Sequence, residues 1–185
     1  MTRSIPSYAD AARPTCSAPA RRARLPRLAG WLALATFVVL LDQASKAWVL
    51  GSFRLMESLS VTSFFNLVLV YNSGAAFSFL AGAGGWQKWF FVALALGISA
   101  WLLSMLRHHA QERLLPTSLS LILGGAIGNV IDRLRFDAVV DFLDFHLAGY
   151  HWPAFNVADS AITVGVVLML WHQLRYGKET ETGTP

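Results

Sequence analysis

Four apolar runs, at residues 28–50, 89–106, 114–131 and 154–171, alternate with more polar segments along the chain. Each is near the length of about 20 residues that a helix needs to cross a bilayer. Lipid offers no partner to backbone N–H and C=O groups, so the runs are expected to be helical. They also lack the alternating polarity of a barrel strand. Pro116 falls in the first turn of the third run, where its missing donor costs little. Between the first two runs, residues 59–71 are dense in Val, Phe, Leu and Thr. They read as one or two strands lying on the membrane surface, with Gly74, Gly82, Gly84 and Gly85 breaking the pattern beyond them. The chain has no internal repeat.

Composition agrees with a membrane setting. The chain is 55% hydrophobic and 14% charged, against about 25% charged in a soluble domain. That excludes a soluble enzyme or a disordered chain. It also argues against a nucleic-acid partner, because 15 basic and 11 acidic residues leave a surplus of only four. The surplus matters by position. Arg3, Arg13, Arg21, Arg22, Arg24 and Arg27 precede the first run, Arg107 and Arg113 lie between the second and third, and Arg175 and Lys178 follow the fourth. Arg54, Lys88, Arg133 and Arg135 occupy the two remaining segments. The basic-rich segments are expected inside, which puts both termini in the cytoplasm.

The first run reaches Leu50 and contains Asp42 and Lys46, so it reads as a span and not as a cleaved signal peptide. Residues 1–27, with Pro6, Pro14, Pro19 and Pro26 among Ala, Ser and Arg, are expected to be a disordered cytoplasmic leader. Residues 28–175 then form a single membrane domain, and 176–185 a cytoplasmic tail. The single cysteine, Cys16, excludes a disulfide within the chain and any CxxC motif. No apolar stretch precedes it, so it does not read as a lipoprotein cysteine.

Charges inside a span are costly and point to a functional site. Asp42 and Lys46 are four apart on one helix face; such a pair could equally order helices. Gly124 and Gly128 form a GxxxG pair that lets another helix come close. Asn129, Asp132 and Arg133 share a face at the outer end of the third run, although snorkelling to headgroups would account for Arg133 alone. Asp141 stands in an apolar surround. Asp159, about one and a half turns inside a helix counted from Ala154, needs a partner to offset its desolvation, and Asp141 is the acid best placed to share a proton with it.

Two carboxylates sharing one proton are the equipment of an aspartic protease, which requires no metal. There is no HExxH, GxSxG, P-loop or GxGxxG. His146 with His151, and His108 with His109, lack a third ligand for a metal. From spacing alone a proton path is as consistent with the two acids as a protease, and a helix-packing scaffold is a third reading.

Five blocks carry a resemblance. They are Asp42-Gln43-Ala44-Ser45-Lys46, Tyr71-Asn72-Ser73-Gly74-Ala75-Ala76-Phe77, the stretch from Gly124-Gly125-Ala126-Ile127-Gly128 through Asn129-Val130-Ile131-Asp132-Arg133, Val140-Asp141-Phe142, and Pro153-Ala154-Phe155-Asn156-Val157-Ala158-Asp159-Ser160. Together and in this order they resemble the lipoprotein signal peptidase (signal peptidase II) family. The resemblance implies an all-α bacterial inner-membrane aspartic peptidase of four helices. The strand-rich segment between helices one and two would form a small extracytoplasmic cradle for the substrate. It further implies cleavage of the signal peptide from prolipoproteins carrying a diacylglyceryl cysteine, at the outer face of the membrane, by a monomer without cofactor. Carried over by motif, Asp141 and Asp159 are the catalytic dyad, Asn72, Asn129, Arg133 and Asn156 bind substrate, and Asp42, Lys46 and Asp132 support them. Ser73 stands where Thr is common and Trp152 where Phe commonly precedes the proline; neither is a dyad position. The Arg-rich leader lies outside the resemblance.

Overall fold

The computed structural model describes residues 24–74 and 84–176. Most of the leader with Cys16, the residues Ala75, Ala76 and Phe77 of the second block, and nearly all of the tail lie outside the described residues. The element order is α1 (Arg24–Ser52), β1 (Ser58–Thr62), β2 (Phe65–Asn72), α2 (Gln87–His109), α3 (Leu114–Phe136), β3 (Val139–Leu147), β4 (Tyr150–His151) and α4 (Val157–Tyr176).

All four helices are long and apolar enough to cross a membrane. Of the apolar stretch of α3, 72% is buried, against 17%, 28% and 11% for α1, α2 and α4, so α3 is the central helix. Its small residues make this possible. A Cβ on Gly124 would lie 2.6 Å from the carbonyl oxygen of Ala35 in α1, and one on Gly125 would lie 2.4 Å from that of Ala158 in α4. The expected close approach at Gly124 and Gly128 is therefore to α1, and Gly125 adds a second one, to α4. The buried hydroxyls of Ser118 and Ser120 donate back to the carbonyls of Leu115 and Pro116, which satisfies them within the helix. On the other side, α1, α2 and α4 turn Phe37, Leu40, Trp101, Val167 and Leu170 outward, the distribution expected of helices facing lipid.

The strands form one antiparallel sheet in the order β1-β2-β3-β4. The first two strands fall where Val and Phe density placed them. The other two do not: they come from the segment between α3 and α4, so the sheet is not built only between helices one and two, and the described residues form four helices plus a sheet rather than an all-α fold. Leu67 pairs with Leu143 and Val70 with Asp141, so β2 carries one extra residue there. A bulge of this kind re-aims neighbouring side chains beside a site. Val49 at the end of α1 packs with Leu69, Val140 and Phe142, fastening the sheet to the helices.

Helix bounds also differ from the apolar runs. The third helix continues to Phe136 and takes in Asp132, Arg133 and Arg135. The fourth begins at Val157, three residues later than hydrophobicity alone places it. Pro153 and the bridge between Leu143 and Phe155 keep residues 152–156 extended along β3. Asp159 is therefore in the first turn of its helix, not one and a half turns inside it.

Candidate active site

Two acids reach one cavity from different elements. Asp141 projects from β3 and Asp159 from the first turn of α4, and both line a cavity of about 780 Å³ together with Asn72, Asn129, Arg133 and Gly74. The remaining wall is mostly apolar, with Trp152, Pro153, Phe155 and Ile162. The link between β3 and α4 is short and tied down. Phe142 and Leu143 donate backbone N–H to the carbonyl of Phe155, and Phe155 returns a bond to Leu143.

Asn156 caps α4. Its side-chain oxygen accepts the N–H of Asp159 at 2.9 Å, and the Asp159 carboxylate accepts the N–H of Asn156 at 3.3 Å. This is the reciprocal arrangement of a capping box, with Asp at the third helical position. The Asn156 amide also donates to Asp141 at 2.8 Å. One buried residue thus bonds both carboxylates, that of Asp141 through its side-chain amide and that of Asp159 through its backbone N–H.

Asp141 accepts a further bond from Asn72 at 3.2 Å, and Asp159 one from Asn129 at 2.8 Å. Asp141 is 2% exposed. Burial pushes its carboxyl up to about 7, and the neighbouring Asp159 pushes the same way, against the hydrogen bonds from Asn72 and Asn156. Arg133 donates to the carbonyls of Asn129 and Gly74 at 3.3 and 3.2 Å, and its guanidinium stacks 5.1 Å from the ring centre of Phe91.

Of the residues singled out in the sequence, Asn72, Asn129, Arg133, Asp141 and Asp159 line the cavity. Asn156 does not; it is fully buried behind the two acids. Asp42, Lys46 and Asp132 are likewise buried and lie behind the wall as one ion triad, with Lys46 at 2.8 Å from Asp42 and 2.7 Å from Asp132. Gln43 was missed. Its amide donates to Asp132 at 2.9 Å and to the Gly128 carbonyl at 3.2 Å; an amide within an apolar span was the available signal. Asp144 is turned to Asn66 and His151. Burial raises its carboxyl, but the hydrogen bonds from His151 and Asn66 outweigh that and leave it below the usual range.

A proton path needs ionisable groups spread through the membrane depth. Asp42, Lys46, Asp132, Asp141 and Asp159 instead form one connected group, and from Leu28 to Leu41 α1 contains no charged residue.

Fold and site together define a multi-pass membrane protein with two carboxylates, from Asp141 and Asp159, lining one cavity. Residues 34–175 match the family described as Signal peptidase (SPase) II. The chain is 58% identical over 167 residues to the lipoprotein signal peptidase of Azoarcus sp. (strain BH72), covering 90% of this chain and 93% of that protein. It is 56% identical over 161 residues to that of Burkholderia vietnamiensis (strain G4 / LMG 22486), covering 87% and 95%. A solved bacterial membrane enzyme superposes with a TM-score of 0.72 at 32% identity, over 84% of this chain and 92% of that one. The chain belongs to the lipoprotein signal peptidase family and is a membrane peptidase.

Proposed function

We propose that this peptidase removes the signal peptide from prolipoproteins whose cysteine carries a diacylglyceryl group, using Asp141 and Asp159 as an aspartic dyad. The observation that carries the reading is that two acids from separate elements open into one cavity while the side-chain amides of Asn129 and Asn156 donate to them. Asp141, pushed to about 7, can keep a proton near neutrality beside a second carboxylate. The ionised member takes a proton from water as the water oxygen bonds to the scissile carbonyl carbon. The protonated member gives its proton to the carbonyl oxygen. The member that took the water proton then gives it to the leaving nitrogen as the C–N bond breaks, while a hydroxyl of the diol intermediate returns its proton to the other member and becomes the carbonyl of the new acid, so the dyad is restored with one shared proton. No metal or cofactor enters these steps.

Asn72, Asn129 and Arg133 are proposed to pair the backbone of an extended substrate, whose polar groups would otherwise go unmet in the membrane. Asn156, with its polar atoms already taken up by the protein, is proposed to position the dyad instead. The acyl chains of the substrate stay in lipid, contributing about 0.8 kcal/mol per buried CH₂ and holding the cysteine at fixed depth. The test is a detergent assay of the purified chain with modified and unmodified prolipoprotein. Cleavage should be confined to the modified form, and equal rates would sink the lipid-anchored reading.

The proposed setting is the bacterial inner membrane, with both termini cytoplasmic and the cavity on the outer face, as a monomer. A reporter inserted after Gly149 should report the outer side, and a cytoplasmic signal there would overturn the orientation.

The pH dependence follows from Asp141. As pH rises through about 7 its proton is lost, both carboxylates are ionised, and no acid remains to polarise the carbonyl. A rate profile should therefore show kcat/KM falling on that side. The corresponding limb of kcat should lie higher, because bound substrate excludes water and further disfavours the anion. A flat kcat/KM between about pH 6 and 9 would contradict a dyad that shares one proton.

A further inference from the structure

We propose that the main chain of Ala154 binds substrate, pairing strand to strand with the mature side of the prolipoprotein at one of the two residues that follow the modified cysteine; the proposal rests on the peptidase reading and on the cavity facing outward. Residues 152–155 run antiparallel beside β3. The Trp152 N–H donates to the Phe145 carbonyl at 2.7 Å, and the Phe155 N–H to the Leu143 carbonyl at 3.1 Å. The acceptors are two residues apart and the donors three, so the segment bulges at Pro153 and Ala154. Phe155 directs both its backbone groups to β3. Neighbours in an extended chain turn their N–H and C=O to opposite sides, so those of Ala154 point away from β3. Among the described residues they have no hydrogen-bond partner. Ala154 lines the same cavity as Asp141 and Asp159.

An edge with an unpaired N–H and C=O is a template for another extended chain. Pro153 narrows the template. It has no N–H, so Ala154 alone can exchange both bonds with a partner residue. Such an edge suits a short stretch of substrate and not a long added strand. The side of the scissile bond follows from the two ends of the cavity. Ile162, Thr163 and Val164 line it within α4, at the depth where an apolar signal peptide lies. Residues 152–155 line it before that helix begins, so they meet the chain beyond the scissile bond. Ala154 stands two residues before Asn156, which bonds both carboxylates. At about 3.3 Å per extended residue, the paired position is about two residues from the bond that is cut. Main-chain pairing reads no side chain, so it holds mature sequences of any kind except those with proline at that position.

The test leaves the enzyme intact. The full chain, purified in detergent, is given modified lipopeptides in which one backbone N–H at a time, on either side of the scissile bond, is replaced by an ester oxygen. At one of the two residues after the cysteine KM should rise about five- to ten-fold, the effect of about one lost hydrogen bond, with kcat within about two-fold. Ala154→Pro removes the donor on the enzyme. It should raise KM by a similar factor and reduce the sensitivity at that substrate position to about two-fold, leaving other positions as in the wild type. Melting shows whether this variant is folded; if it is not, the substrate scan with the wild-type chain decides. No loss at either residue after the cysteine, a loss only on the signal-peptide side, or a folded Ala154→Pro enzyme with wild-type sensitivity would overturn the pairing. The dyad reading fails separately, if Asp141→Asn or Asp159→Asn remains active, and the lipid-anchored reading fails if unmodified substrate is cut as fast. If both of those stand and the scan shows no loss, only the main-chain pairing is wrong.

Discussion

Asp141→Asn and Asp159→Asn should each remove turnover, by on the order of 10⁴-fold, with the protein still inserted and folded. Asparagine has nearly the shape of aspartate but takes no proton from water and gives none to a carbonyl. Either change therefore leaves the proton relay without one of its ends, and the double variant should be no worse than the single ones. Asp144→Asn is the internal control. Its carboxylate is held by His151 and Asn66 and does not line the cavity, so the rate should stay close to wild type. If Asp144→Asn were inactive and Asp141→Asn active, the acids would have been assigned the wrong way round.

Gly125→Ala should be the most damaging single methyl group in the helices. The new Cβ would sit 2.4 Å from the Ala158 carbonyl oxygen and 2.7 Å from Ile162 Cγ1, and the first of these is backbone that no rotamer change can clear. Helix α4 has to move away from α3, carrying Asp159 and loosening the bond from Ala158 to Asp42. Overpacking of this kind costs about 1–3 kcal/mol of stability. A shift of about 1 Å at the acid costs about 100-fold in rate. Thermal unfolding in detergent and an activity assay read the two effects. Gly97→Ala, where a Cβ meets nothing within 4 Å, should gain stability slightly, since alanine is the better helix former. Equal behaviour of the two variants would mean that α3 and α4 are not packed as closely as described.

The sequence by itself determined the membrane class, the number of membrane-capable helices, the first two strands and which carboxylates stand in apolar surroundings. Each of these rests on local information: a run of about 20 apolar residues has one solution in lipid, Val and Phe density marks strands, and a carboxylate among apolar residues needs a reason to be there. Asn156 and Asp159, three apart at the start of a helix, even spell a capping box. Hydrophobicity could not place the start of that helix, because Ala154 and Phe155 are as apolar as the turns that follow.

Tertiary structure decided the rest. Strands β3 and β4 were illegible because pairing with β2, not propensity, makes a strand of a segment holding Asp141 and Asp144. Asp42 meets Ala158 116 residues further along the chain, and Gln43 meets Asp132 across 89. No periodicity within either segment encodes such a contact. It exists because Gly124, Gly125 and Gly128 let α1 and α4 close on α3, so that a charge costly in lipid finds its partner only once the helices have packed.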